Sequence, residues 1–268
     1  MTKQELLHQY INRHSLSESD CTALKQDSLA YIASSESIED RLEIACLLGE
    51  LGDPRLKEPS DSQYWIKVET AFLDLLVGRF PVTVYEWKVF LQSEHYSNNE
   101  FWSEDGLEWR NQDRPTWLEL AQGKGMQNFV VDNQPVVGVS WFEAEAYARY
   151  AESRLLFFDE RIDIVRGEER RIYPWGASFG QGNANTSEVG LKRPCPVGIF
   201  VNDRIPSGIS DLVGNVGEWT EDRDKFGCRT HPGSWRGDML SAWPKASMTL
   251  SPAARLDSLG FRLARECS

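Results

Sequence analysis

The sequence is short of the residues that disulfide frameworks and metal clusters need. Its five cysteines contain no C-x-x-C pair, and its four histidines contain no pair at i, i+4. An odd number of scattered cysteines points to neither a disulfide framework nor a zinc knuckle. The spacing predicts isolated reduced thiols at Cys21, Cys46, Cys195, Cys228 and Cys267.

Long apolar runs and a surplus of positive charge are also missing. No stretch approaches the roughly 18 uninterrupted apolar residues of a membrane helix, and the N-terminus has no basic start followed by an apolar run. The formal net charge is −12, whereas binding to a phosphate backbone requires a basic face. We therefore predict a cytoplasmic protein that binds neither membranes nor nucleic acid.

The first 62 residues have the pattern of helices. Ser37 stands three residues before Asp40, as at a helix N-terminus, and apolar residues follow at helical spacing. Residues 41–55 resemble one unit of a HEAT-like repeat. Because one unit cannot bury its own face, we expect it to pack on a larger domain or on a partner. These observations predict a helical region at 1–62 and a second domain at 63–268.

The second domain has short segments, many aromatic residues and frequent glycine and proline. The apolar runs 72–77 and 136–139 predict strands. Helices are predicted after Thr83 and after a capping box formed by Ser140 and Glu143. Regular periodicity fades beyond residue 171, so the predicted fold class is α+β with a high loop content.

Eight short motifs in this domain occur in one order, and together they resemble the formylglycine-generating enzyme and sulfatase-modifying factor family. That resemblance implies a C-type-lectin-like fold over about 200 residues, and a bacterial origin for its combination with a helical region. The motifs are 78–84, 134–141, 173–176, 184–186, 196–200, 211–220, 233–235 and 260–262. Their tryptophans, Trp141, Trp175, Trp219 and Trp235, are expected in the core, and Arg262 is expected to pair with a buried carboxylate.

The cysteine pair of the family's oxidases is missing. The resemblance implies two copper-binding thiolates shortly after Trp235, but residues 236–252 contain no cysteine. Thiolates are the natural ligands of monovalent copper, so harder side chains do not replace them. The histidines do not form the cluster of iron-dependent relatives either. We therefore predict a retained scaffold without copper or formylglycine-generating activity.

The favoured hypothesis for function is a non-catalytic module that binds an unknown protein or small molecule. The scaffold resembles variable proteins diversified by retroelements, in which the residues between the Gly-Ser-Trp and Gly-Phe-Arg motifs form the ligand site. In this chain that segment is 236–259, although methionine and tryptophan in such a stretch are more often core residues. The predicted ligand-binding residues are Trp235, Arg236, Asp238, Met239, Trp243, Lys245, Met248, Arg255 and Asp257, with Trp243 and Arg255 as anchors.

The alternative hypothesis is a divergent metal-dependent enzyme of the same family. Its candidate groups are acidic, and such a cluster either holds a cation or moves protons. A solvated acidic loop is the simpler explanation of the same pattern. The residues concerned are Asp211, Glu218, Glu221, Asp222 and Asp224.

A calcium site is implied by the family resemblance at the Gly-Asn-x-x-Glu-Trp turn. There, the ligands would be the Asn215 side chain, the Val216 carbonyl and the Glu218 carboxylate. Calcium accepts mixed oxygen ligands of this kind in irregular loops. We therefore predict one calcium ion bound at this turn.

Overall fold

The N-terminal region consists of three helices that pack on the rest of the chain. The computed structural model describes residues 1–70, 73–92, 94–112, 115–123 and 126–267. The helices are α1 (Lys3–Ile11), α2 (Glu18–Ser34) and α3 (Ile38–Leu51), and the Ser37 side chain caps α3 as predicted. Their apolar faces form one cluster with Cys195, Ile199 and Phe200. The helical region therefore buries its face against the larger domain.

Two polar contacts fix this junction. The Arg41 guanidinium donates to the Ile199 carbonyl at 2.5 Å, and the Asn133 side-chain amide donates to the Ala45 carbonyl at 2.9 Å. Gly49 lies against the same asparagine, and a Cβ at this glycine would be 2.5 Å from Asn133 Oδ1. The missing side chain allows α3 to approach the larger domain this closely.

The described residues of the larger domain form two four-stranded sheets. Their strands are β1 (Trp65–Glu69), β2 (Asp74–Gly78), β3 (Arg154–Leu155), β4 (Gly217–Asp224), β5 (Gly227–His231), β6 (Met248–Leu250), β7 (Leu259–Phe261) and β8 (Leu263–Glu266). The first sheet has the order β1-β2-β8-β3 and the second β6-β5-β4-β7. Strands β4 and β7 are parallel, which places Glu218 opposite Gly260. The predicted run 72–77 corresponds to β2, although its first residue, Phe72, lies outside the described residues.

In the described part of this domain, five α-helices surround the sheets. They are α4 (Val84–Gln92), α5 (Glu104–Arg110), α6 (Trp117–Ala121), α7 (Trp141–Tyr150) and α8 (Phe158–Arg166). The capping box at Ser140 and Glu143 opens α7 as predicted. The buried side chains of α4, α7 and β7 meet in the largest core cluster, with ring centroids about 5 to 6 Å apart. The α+β prediction is confirmed.

The prediction of a strand at 136–139 was wrong, although the segment is buried. Pro135 before it has no N–H to donate, and Gly138 within it adopts φ +74°. Both features interrupt a ladder of hydrogen bonds. Val136 instead donates one bond to the Val82 carbonyl at 2.9 Å. The segment is therefore a core-lining loop.

Of the four tryptophans in the ordered motifs, three are buried and one is only partly buried. Trp141, Trp219 and Trp235 are at most 8% exposed. Trp175 is only partly buried and stacks on Tyr173 at 5.2 Å, so the core prediction was wrong for this residue. Within the described ranges, no helix has both the length and the apolar content of a membrane span.

Candidate functional site

The segment 236–259 is held at both ends by motifs that enter the core. A Cβ at Gly233 would lie 2.2 Å from the Val213 carbonyl oxygen, and one at Gly260 would lie 2.4 Å from the Val136 carbonyl oxygen. Only glycine allows these close approaches. The Arg262 guanidinium then donates to Glu218 and to four backbone carbonyls, those of Gly78, Arg79, Ser210 and Asp211. The segment is tethered to a rigid frame at both ends, and it is a loop except for β6, which pairs with β5, and Leu259, which begins β7.

Between these ends, the segment exposes apolar side chains. The exposed fractions are 49% for Met239, 68% for Leu240, 46% for Trp243 and 48% for Met248. The alternative that these methionines and this tryptophan are core residues is therefore excluded. Large apolar side chains grouped on one loop are typical of a recognition surface rather than of random exposure.

Trp243 lines a cleft that has basic residues on its other wall. The cleft has a volume of about 220 Å³. Its walls are Trp243, Pro244 and Lys245 from the loop, and Ile162, Arg166, Arg170, Arg171 and Ile172 from α8 and the turn after it. The turn is made possible by Gly167 and Arg170, which adopt φ +53° and +54°. We call this the Trp243 cleft.

The arginines of the Trp243 cleft were missed by the sequence reasoning. The available signal was a glycine that ends α8, followed by the adjacent pair Arg170 and Arg171. Arg171 bonds to the Glu169 carboxylate at 2.9 Å, whereas Arg166, Arg170 and Lys245 have no ion pair within the described part of the chain. In a chain with a net charge of −12, the cleft is a local positive site.

The buried His231 side chain holds the backbone carbonyl of Trp243. Its ring is fully buried, and burial together with the charge of Arg161 holds its pKa well below the usual value. Nδ1 accepts the Gly233 N–H at 3.3 Å, so Nε2 carries the proton and donates to the Trp243 carbonyl at 3.2 Å. A neutral histidine thus positions the residue that the loop exposes.

Four other predicted ligand-binding residues lie outside the Trp243 cleft, and three of them contact one another. The Trp235 indole is buried and donates to the Asp257 carbonyl at 3.1 Å, and Arg236 stacks on it while pairing with the Asp257 carboxylate at 2.6 Å. Asp238 accepts from Leu240 and Ser241 within its own turn. Trp235 and Asp238 are therefore structural, whereas Arg236 remains accessible.

Arg255 was wrongly predicted to be an anchor. Its guanidinium forms a bidentate pair with the buried Glu143 carboxylate at 2.6 and 3.0 Å and donates to the Pro115 carbonyl. It also stacks on Trp109 at 4.8 Å. Because Glu143 caps α7, Arg255 ties the end of the segment to the core and is not available to a ligand.

The acidic residues do not form a cluster. Strand β4 alternates their side chains between faces, and each accepts hydrogen bonds from a different part of the fold. Glu221 accepts from the Leu155 N–H, Asp222 from the Phe158 N–H, Asp224 from the Phe226 and Gly227 N–H groups, and Asp211 from the Gly198 N–H. Within the described residues, no three His, Cys, Asp or Glu side chains come together as a metal-binding group.

The predicted calcium ligands are already engaged in other contacts. One Glu218 oxygen accepts from Arg161 at 3.3 Å, and the other accepts from Arg262 at 3.0 and 3.1 Å. Asn215 Oδ1 accepts from the Cys195 N–H and from Asn185. Two guanidinium groups thus supply the positive charge that calcium would supply. As arranged, Asn215, Val216 and Glu218 do not fit a calcium ion.

Because the Asn215 and Glu218 oxygens are already engaged, we expect that calcium does not bind at this turn. Because a ligand that binds only the folded state raises the melting temperature, calcium at this turn would stabilise the protein. We expect the same melting temperature in excess calcium and in chelator, measured by differential scanning calorimetry. A rise that follows the logarithm of the calcium concentration would restore the sequence prediction.

The buried thiols are not suited to hold copper. Cys228 lies inside β5, where burial raises the pKa of its thiol to about 12. Burial also raises the pKa of the Cys195 thiol well above its usual value. Since the thiolate is the metal ligand, two protonated thiols on different elements do not replace a thiolate pair.

Comparison with known proteins agrees with the motifs. Hercynine oxygenase of Mycobacterium tuberculosis is 33% identical over 156 residues, which are 54% of this chain and 36% of that enzyme. Inactive C-alpha-formylglycine-generating enzyme 2 of Bos taurus is 33% identical over 183 residues, covering 59% of this chain and 58% of that protein. The chain thus spans about a third of the first of these relatives.

A solved structure shows the same fold. PvdO from Pseudomonas aeruginosa superposes with a TM-score of 0.57 at 20% identity, covering 76% of this chain and 91% of that one. The family model for the sulfatase-modifying factor enzyme 1-like domain matches residues 58–267. Because this match covers most of the chain, the protein belongs to the sulfatase-modifying factor enzyme 1-like family, as the ordered motifs indicated.

Proposed function

We propose that this chain is a non-catalytic binding module that holds an acidic segment of a protein partner in the Trp243 cleft. The observation that carries the proposal is the half-exposed Trp243, whose backbone is fixed by His231 and whose ring faces a basic wall. Tryptophan and arginine contribute most of the binding energy at typical interfaces. A partner with an aromatic or aliphatic anchor beside carboxylates complements such a surface.

The extent of the exposed loop supports a protein partner over a small molecule. A cleft of about 220 Å³ is smaller than the usual site of a drug-sized molecule, and it has room for one side chain or a fragment of similar size. However, Met239, Leu240 and Met248 extend the apolar surface along the same loop. Such residues adapt to different partners, because methionine has several rotatable bonds and a polarizable sulfur. A retroelement origin of the segment would appear as adenine-directed differences from a nearby template repeat.

The test compares two exposed aromatic residues. Peptides rich in Asp, Glu and aromatic residues are selected by display on the wild-type chain, and their affinities are measured for Trp243→Ala and Phe226→Ala. We expect Trp243→Ala to weaken binding at least tenfold, since truncation at a hot spot costs about 2 kcal/mol. Phe226 is 76% exposed on the β4–β5 turn, outside the segment, and its replacement should leave binding unchanged.

Melting temperature separates binding from folding in this test. The Trp243 side chain is half exposed, so its removal should shift the melting temperature little. A large loss of stability would show that the Trp243 side chain serves folding rather than binding, and would contradict the proposal. Equal binding by both variants would place the binding surface elsewhere on the chain.

The alternative, a divergent metal-dependent enzyme, is supported by the similarity to hercynine oxygenase. It predicts oxidation of a cysteine peptide or a small thiol when copper or iron is added. We expect no turnover, because no thiolate pair follows Trp235 and the histidines are separate in the sequence. Metal-dependent turnover by the wild-type chain would replace the binding proposal with the enzymatic one.

A further inference from the structure

A second pocket lies where the helical region meets the larger domain, and no residue of the segment 236–259 lines it. It has a volume of about 200 Å³ and is lined on one side by Leu29 and Ile32 of α2. Arg79 and Phe80 after β2, and Arg204, line the other side. We call this the junction pocket. Its walls combine aliphatic groups, one aromatic ring and positive charge.

Three arginines converge on the junction pocket. Arg55 forms a bidentate pair with the buried Asp53 and lies 5.6 Å from the Phe80 ring centroid. Neither Arg79 nor Arg204 has an ion pair or a side-chain hydrogen bond within the described part of the chain. Burial and the like charges of Arg204 and Arg55 lower the pKa of Arg79. The positive charges of these arginines therefore repel one another across the pocket.

The nearby carboxylates do not balance this charge. The Asp53 carboxylate already accepts hydrogen bonds from the Arg55 guanidinium and the Asn133 side-chain amide. Asp211 is buried behind Gly198, to whose N–H it is bonded at 2.7 Å, and burial raises its pKa to about 7. Two of the three guanidinium groups thus lack a counter-charge, and a guanidinium matches the geometry of a carboxylate or phosphate.

Two glycines keep the junction pocket open. Gly198 and Gly208 adopt φ +70° and +104°, which side chains rarely allow. A Cβ at Gly198 would lie 3.1 Å from both Arg55 Nη1 and the Phe80 ring, and one at Gly208 would lie 3.4 Å from Arg204 Nη2. The backbone at these glycines thus lies directly against two of the arginines, where a side chain would crowd them.

We propose that the junction pocket binds a small organic oxyanion, a carboxylate or phosphate monoester carried on a short apolar group. The oxyanion bonds to Arg79 and Arg204, and the apolar group lies against Phe80, Leu29 and Ile32. Because α2 forms one wall and the larger domain the other, such a ligand joins the two regions. Its binding raises the stability of the folded chain by mass action.

The experiment uses calorimetric titration of the full chain at one fixed, low ionic strength. The probes are phenyl phosphate, benzoate, inorganic phosphate and benzyl alcohol. We expect one saturable site for phenyl phosphate or benzoate, with weaker binding of inorganic phosphate and no binding of the neutral alcohol. The preferred probe distinguishes a phosphate ester from a carboxylate. No saturable binding of either aromatic anion would overturn the proposal.

Two variants assign the binding to this pocket. Arg79→Gln/Arg204→Gln should weaken binding at least tenfold, as expected for two lost charge-assisted contacts. The matched control, Lys192→Gln/Lys225→Gln, removes two exposed cations that line neither pocket and should leave binding unchanged. Loss of binding in the control alone, or equal binding by both double variants and the wild type, contradicts the proposal.

A third variant covers the case in which removing the arginines disturbs folding. Ala33 is an exposed residue of α2 that lines the pocket, so Ala33→Trp fills the pocket without touching a charge. We expect this variant to keep the wild-type melting temperature and to lose the anion. Undiminished binding by Ala33→Trp would show that the anion binds elsewhere.

Discussion

Replacing Glu218 by Gln is expected to lower the free energy of unfolding by about 3 to 5 kcal/mol, which is the usual cost of removing one partner from a buried ion pair. Glu218 is 1% exposed and bonds to both Arg161 and Arg262, which are also about 1% exposed. Glutamine removes the negative charge and leaves two buried cations without a counter-charge. Chemical denaturation at neutral pH measures the difference.

Two comparisons make the Glu218 result specific. Asp257→Asn breaks the pair with Arg236, whose side chains are 39% and 61% exposed, and should cost less than about 1 kcal/mol. Arg161→Met should cost less than Glu218→Gln, because Glu218 and Arg262 remain a balanced pair. If Glu218→Gln cost no more than Asp257→Asn, the buried triad would not be the centre of stability that its geometry indicates.

Replacing Asp211 by Asn is expected to stabilise the protein above neutral pH and to have little effect near pH 4. Burial, followed by the charge of Asp203, raises the pKa of Asp211 from 3.8 to about 7. Between about pH 4 and 7 the folded state therefore keeps a proton that the unfolded state has already released. The stability that this proton contributes is fully present below about pH 4 and is lost progressively as the pH rises to about 7. Asparagine imitates the protonated acid and keeps the bond with Gly198.

The size of the Asp211 effect follows from the pKa difference. Each pKa unit corresponds to about 1.4 kcal/mol, so the gain at pH 8 is at most about 4 kcal/mol. Asparagine also tolerates the φ of +55° at this position. The measurement is the free energy of unfolding of both proteins from pH 4 to 8. Parallel curves would show that Asp211 does not titrate in this window.

Asp203 provides the matched control. Its pKa is also raised, to about 6, and burial is again the main cause. However, its two oxygens accept the N–H groups of Leu212, Val213 and Gly214. The amide of an asparagine would point an NH₂ group at these donors. Asp203→Asn should therefore destabilise the protein at every pH, although the two aspartates titrate in the same direction.

Local patterns were sufficient to predict several elements of the fold. The cap at Ser37 and the capping box at Ser140 depend on contacts three residues apart, and both open helices in the structure. The run at 136–139 failed because burial alone does not distinguish a strand from a buried loop. Pro135 and Gly138 were the local signals that favoured the loop.

The candidate site was only partly accessible from the sequence. The two framing motifs predicted that 236–259 is a loop, which missed the short strand β6, and the structure exposes Met239, Trp243 and Met248 on this segment. Arg255 was misassigned because its partner Glu143 lies 112 residues away, and no local spacing reports such a contact. The arginines of the Trp243 cleft were missed for the same reason, since they follow α8 and meet the loop only in the folded chain.

By itself, the sequence determined the family, the α+β class and the absence of the oxidase cysteines, because these depend on the order and identity of residues. The tertiary structure decided the role of each charge. Glu218 resembles a calcium ligand in the motif, but two guanidinium groups brought from α8 and the Gly-Phe-Arg motif surround it. The role of a buried carboxylate depends on which charged groups lie within about 4 Å of it. Those groups come from distant parts of the sequence and meet only in the folded chain.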